Sequence, residues 1–183
     1  SDLTHYFSEH SGAVINSAIS LYSHATMELR NDAKIIINSS DLNAKLVAND
    51  LEDALSQAGP FGLIQSLLSV IRPQYGFILH LNSDFSVGSG LGGSATLLAA
   101  ILGCFNLVRK DQWTQHELVE IAFQAERLQF EIAGGWQDQY ASIFGGFNFI
   151  EFHHDQNIIS PLLIQKDVCL ELESKLVTAS IAV

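Results

Sequence analysis

Apolar residues along this chain alternate or cluster at strand spacing near residues 12–20, 23–30, 33–38, 75–81, 147–152 and 157–164, with a last such run near 175–183. They recur at helical spacing near 47–57, 61–71, 94–108, 114–132 and 137–144. Strands gathered early and late, with helices between them, predict an α+β domain in which a mixed sheet packs against helices.

The stretch 113–132 reads as one amphipathic helix. Thr114 is placed to cap it, and Glu117 three residues on completes a capping box. Leu118, Ile121, Ala122, Ala125, Leu128 and Ile132 form the apolar stripe. At about 100° per residue, Glu117, Glu120, Gln124, Arg127 and Glu131 share the polar face. Glu126 falls instead beside Val119 and Ala122. A carboxylate there either bends back to water or is buried against a partner or a metal ion. The helix is expected to break at Ala133-Gly134-Gly135, before Trp136-Gln137-Asp138-Gln139-Tyr140. An acid just after such a break sits near a helix N-terminus. Asp138 therefore reads as a helix cap or as a base aimed into a cleft, and Trp136 as a cleft wall or a structural anchor.

Before the helix at 94–108 the chain runs Asp84-Phe85-Ser86-Val87-Gly88-Ser89-Gly90-Leu91-Gly92-Gly93-Ser94-Ala95-Thr96. Glycines let backbone N–H groups approach a ligand closely, and a helix N-terminus adds unpaired donors and a positive dipole end. Together they suit a phosphate. A P-loop is excluded, because Ser94 and Ala95 stand where Lys and Ser/Thr are required, and the next lysine is Lys110. Gly88-x-Gly90-x-x-Gly93 also fits the dinucleotide fingerprint, with Asp111 near the position of a ribose-binding acid. Against it, Asn82-Ser83-Asp84 intervenes after the strand, and Arg109-Lys110-Asp111-Gln112 reads as a turn. The plainest structural reading is a turn that caps a core helix through Ser94.

Length and composition limit the remaining choices. The chain has 183 residues, 48% of them hydrophobic, which suits one domain with a sizeable core. No repeat, low-complexity tract or Pro/Ser-rich linker divides it. A net charge of −11 argues against a general binder of nucleic acid or anionic membranes. The apolar run Leu97 to Val108 is too short to span a bilayer and is interrupted by Asn106. The polar, acidic start is no signal peptide, and Cys104 and Cys169 sit in apolar contexts that suit packing. A cytoplasmic location fits. The histidines, His153-His154 included, show no zinc-ligand spacing.

The loop resembles the second motif of the GHMP sugar and small-molecule kinases, P-x-x-x-G-L-G-S-S-A. Here Val87 stands for the usual proline and Gly93 for the first serine, while Ser94 is retained. In that family a glutamate on a helix precedes a glycine turn and an aspartate, as Ala125-Glu126-Arg127 precedes Gly134-Gly135-Trp136-Gln137-Asp138-Gln139-Tyr140. This second string is especially like the D-glycero-D-manno-heptose phosphate kinases, with galactokinases and fucokinases more distant. The start, Ser1-Asp2-Leu3-Thr4-His5-Tyr6-Phe7 and His10 to Ile19, resembles the segment after their first glycine motif.

The resemblance implies the N-terminal ATP-binding domain of that family over residues 1–183, with a fold similar to the second domain of ribosomal protein S5. It implies a fragment, since the first strand and glycine motif, with the Lys or Arg that usually precedes it, would lie before Ser1 and a second domain after Val183. It implies ATP and Mg²⁺ as cofactors and a sugar or sugar-phosphate hydroxyl as acceptor, a heptose phosphate foremost. Gly88, Ser89, Gly90, Leu91, Gly92, Gly93, Ser94 and Ala95 would hold the phosphates, and Ser94 and Glu126 the metal. Asp138 would be the base, and Asp2 would bind a sugar hydroxyl. A non-catalytic binding or regulatory protein on the same fold, and a dinucleotide-binding oxidoreductase, are the alternatives.

Overall fold

The computed structural model describes residues 2–7, 9–131 and 134–177. After a short helix α1 (Thr4–Phe7) come strands β1 (Gly12–Ser17), β2 (Ser23–Leu29), β3 (Ile35–Ser39) and β4 (Ala44–Ala48). Helices α2 (Leu51–Ser56) and α3 (Gly62–Ile71) lead to β5 (Phe77–Ser83). Then follow α4 (Gly93–Val108), α5 (Gln115–Phe123), a π-helical segment (Gln124–Gln129) and α6 (Gln137–Phe144). The order closes with β6 (Phe147–Phe152), β7 (Asn157–Pro161) and α7 (Lys166–Lys175).

The α+β class holds, but the strands form two sheets rather than one. The larger has the order β2-β5-β3-β4 and is mixed: β3 runs parallel to β5, and the other pairs are antiparallel. The smaller is antiparallel, in the order β1-β6-β7. The split has a packing reason, because each sheet closes its own apolar cluster. Ile35, Ile37, Leu46, Phe77, Leu79 and Leu81 of the larger sheet meet Leu98, Ile101, Leu102 and Phe105 of α4 and Ile64, Leu67 and Leu68 of α3. The α4 residues recur at the spacing of one helix face, so burying them orients the helix. Full burial of each such side chain is worth roughly 1.5–3 kcal/mol. A second cluster joins Phe7, Val119, Tyr140, Ile150 and Phe152 against the smaller sheet.

Several expectations need correction. The periodicity that suggests a helix from residue 47 conceals β4, which pairs Leu46 with Ile37, and α2 begins only after the Asp50 cap. The strand expected to end at Leu81 runs to Ser83, held by the pair Ser23–Ser83. A helix, α7, occupies residues 166–175, where none was expected. The final expected strand lies mostly at residues 178–183, outside the described residues, as do Ile132 and Ala133.

The helix expected over 114–132 changes character at Gln124. The Thr114–Glu117 capping box is present. From Gln124 the ladder widens, and Phe130 N–H donates to the carbonyl of Ala125 at 3.1 Å. That carbonyl also accepts from the buried Ser66 hydroxyl of α3 at 2.9 Å. Asn106, the polar interruption in the apolar run, closes the α4–α5 turn: its side chain accepts from Trp113 N–H at 2.7 Å and donates to Trp113 O at 3.0 Å. Among the described residues, no helix is long and apolar enough to cross a membrane.

Candidate active site

The glycine loop spans the gap between β5 and α4. Gly88, Gly90 and Gly92 take φ of 79°, 74° and 69°, conformations that side chains rarely adopt. Left-handed residues alternating with ordinary ones are the kind of backbone that forms an anion-binding nest. Gly92 is the N-cap of α4, and among the described residues no side chain caps that helix end. The expected capping by Ser94 is therefore absent. Thr96 instead donates its hydroxyl to Gly92 O at 3.0 Å, and the N–H donors of the first turn keep their capacity for an anion.

The loop forms one wall of a cavity of about 450 Å³. Gly88, Ser89, Gly90, Gly92, Gly93 and Ser94 line it, and so do Glu126, Arg127 and Asp138. Leu91 and Ala95 are not among its lining residues; Ala95 is buried in the core.

Glu126 is 3% exposed, so it does not bend back to water. Its Oε2 accepts from the Gln139 side-chain amide, and its Oε1 lies 3.8 Å from Arg127 Nη1. The Ser94 hydroxyl lines the same cavity and favours the charged form of this carboxyl. Burial raises the Glu126 carboxyl above its ordinary value, and the Arg127 charge opposes that rise. Gln139 is fully buried, and among the described residues its Oε1 has no hydrogen-bond partner.

Asp138 lies in the first turn of α6, with its side chain 44% exposed to the cavity mouth. A methyl group added to Gly92 would come within 3.7 Å of its carboxyl, so the acid stands directly against the loop. Its Oδ2 is 3.5 Å from Arg127 Nη2. Asp2 stands outside the cavity lining: its Oδ2 accepts from Gln137 N–H at 3.3 Å, at the start of the same helix. Trp136 stacks on Phe123 with ring centres 3.6 Å apart and anchors the turn. The loop, Ser94, Glu126 and Asp138 thus converge on one cavity, with Asp2 outside its lining at the N-terminus of the helix that carries Asp138.

The residue that periodicity misplaced is Arg127. Assigned to the polar face, its side chain is only 8% exposed and lies between the two acids. The wider π turn carries it inward, and short apolar spacing offers no signal of such a turn.

The architecture defines an α+β domain whose glycine loop feeds an uncapped helix N-terminus. It is not a dinucleotide fold: β5, the strand before the loop, pairs antiparallel with β2, and Asp111 lies in the turn after α4 and not at a strand end. Residues 61–146 match the family described as GHMP kinases N terminal domain. It is 36% identical over 182 residues to the D-glycero-alpha-D-manno-heptose 7-phosphate kinase of Campylobacter jejuni, covering 96% of this chain and 53% of that protein. The crystal structure of a D-glycero-D-manno-heptose 1-phosphate kinase from Bacteroides thetaiotaomicron superimposes with a TM-score of 0.83 at 31% identity, over 94% of this chain and 58% of that one. A galactokinase from Lactococcus lactis shares the fold, with a TM-score of 0.70 at 18% identity over 89% of this chain and 45% of that one. The chain spans about half the length of the curated heptose 7-phosphate kinase it matches.

Proposed function

We propose that the protein transfers the γ-phosphoryl group of ATP to a hydroxyl of a sugar or sugar phosphate, with a heptose phosphate as the preferred acceptor. On this reading residues 1–183 form the ATP-binding domain. The observation that carries it is the convergence of an uncapped helix end, a buried acid and a half-exposed acid on one cavity. Transfer of this kind needs positioning and neutralisation of charge more than covalent help.

Each group has a part that its chemistry suits. The N–H groups from Ser89 to Ser94 bind the phosphates. Leu42, Pro60, Leu63, Phe85 and Phe130 line the rest of the cavity, an apolar surface suited to the flat purine base. Ser94 and Glu126 offer hard oxygen donors of the kind Mg²⁺ takes together with phosphate oxygens and water. Two donors leave further positions on such a cation for phosphate oxygens and water, so the pair suits a metal that arrives with its nucleotide. When bound there, Mg²⁺ neutralises charge on the phosphates. Asp138 accepts the proton of the acceptor hydroxyl as it attacks. Asp2 holds a second sugar hydroxyl from the N-terminal side of α6. The heptose-phosphate acceptor is proposed on the relatives' names together with the Gly134-to-Tyr140 string.

The experiment uses the protein at its natural full length, with MgATP and a heptose phosphate. Asp138→Asn is expected to lower kcat by about 10²–10⁴, with the nucleotide still bound. Equal rates in the two proteins remove Asp138 as the base. No phosphorylation of any sugar by the wild type removes the reading itself.

A further inference from the structure

We propose that Arg127 is a positioning residue that ties the metal-side acid Glu126 to the acceptor-side acid Asp138; the inference rests on the kinase reading above. Three contacts support it. Arg127 Nε donates to the Gly135 carbonyl at 3.2 Å, Nη2 faces Asp138 Oδ2 at 3.5 Å, and Nη1 lies 3.8 Å from Glu126 Oε1. One planar cation therefore touches both acids and the backbone turn between them. Its fork presents several donors in fixed directions, which suits one group bridging several acceptors.

The turn is shaped to receive it. A Cβ on Gly134 would lie 2.6 Å from the Arg127 guanidinium carbon, and one on Gly135 would lie 2.0 Å from Asp2 Oδ2. The two bare glycines thus seat a cation on one residue and a carboxylate on the next. Asp138 lies in the first turn of its helix, three residues after Gly135, so the anchored turn fixes where that acid is placed. The π-helical segment supplies the other half: its extra width turns Arg127 from the polar face into the site. On the kinase reading the nucleotide is anionic, yet this cation is engaged with acids of the protein itself. That arrangement suits holding the acids apart and in place.

The test compares wild type, Arg127→Met and Arg127→Lys in the full-length protein. In Arg127→Met kcat is expected to fall about 10²-fold, the penalty for roughly 1 Å of misplacement, with the KM values for ATP and acceptor little changed. Arg127→Lys keeps the charge and is expected to recover part of the loss. Crystal structures of both variants give a readout independent of turnover: Asp138 moves away from Gly92 in the Met variant and less in the Lys variant. A kcat equal to wild type, equal losses in both variants, or a rise in acceptor KM alone overturns the proposal. If the wild type phosphorylates no sugar, the kinase reading fails, and the structures judge Arg127 by themselves. Asp138 holding its place in Arg127→Met then overturns the positioning role.

Discussion

The Phe85 ring stands where a side chain at Gly93 would begin: a Cβ added there would meet Phe85 Cε2 at 3.0 Å. The serine that GHMP kinases usually carry at this place is thus replaced by glycine beside an aromatic ring that lines the cavity. The two positions are expected to be coupled. Gly93→Ser should be better tolerated in a Phe85→Leu background than in the wild type, by about 1 kcal/mol of interaction energy. Denaturant melts of the two single variants and the double variant measure it. Strict additivity would mean the ring gives way freely.

Glu126 is buried with its Oε2 accepting from Gln139, so removal and neutralisation should differ. Glu126→Gln keeps an acceptor in place and is expected to melt near the wild type while weakening the Mg²⁺ dependence of turnover. Glu126→Ala leaves the buried Gln139 amide without its acceptor and should destabilise by about 1–3 kcal/mol. A thermal melt and a Mg²⁺ titration of each variant distinguish these effects. An unchanged titration in Glu126→Gln excludes it from the metal site.

Gly135 has no room for a methyl group, because it would lie 2.0 Å from Asp2 Oδ2 and 2.5 Å from the Asp2 carbonyl oxygen. Gly135→Ala is expected to push the N-terminal segment off α6 and to release the Gln137 N–H that Asp2 accepts from. Asp2→Ala should release the same proton without crowding. Amide exchange at Gln137 reports both: faster exchange in each variant is the expected result, and unchanged protection in both contradicts the contact.

Asp84, at the foot of the loop, accepts from His24 Nε2 at 2.9 Å and from Tyr22 N–H at 3.0 Å. The His24 hydrogen bond, then the Tyr22 one, holds its carboxyl below the ordinary aspartate value. A depressed folded pKa stabilises the fold above the unfolded value, about 3.9, and the gain is lost as pH falls through the folded pKa. Wild type should therefore outlast Asp84→Asn at pH 6 and lose that lead progressively below about pH 4. Melting temperatures across this range, with a lead that does not change with pH, would count against the pairing.

Much of the molecule could be read locally. The α3, α4 and α6 spans, the Thr114–Glu117 cap and the strands β6 and β2 follow from spacing and capping within a few residues, which is where propensity and periodicity act. The glycine loop was legible as well, because only glycine suits its three left-handed positions. β4 was not, since its five residues become a strand only by pairing with β3. Whether Glu126 met water or the site was equally undecided along the chain.

Sequence alone determined the class of fold, the glycine loop before α4 and which acids could stand around it, because each depends on neighbours close in the chain. Tertiary structure decided that the strands part into two sheets, that Ser94, Glu126 and Asp138 share a cavity, and that Arg127 turns inward between the acids. These depend on packing between segments far apart in sequence, such as Ser66 donating to Ala125 O within the π turn, and no periodicity along a single segment records such a contact.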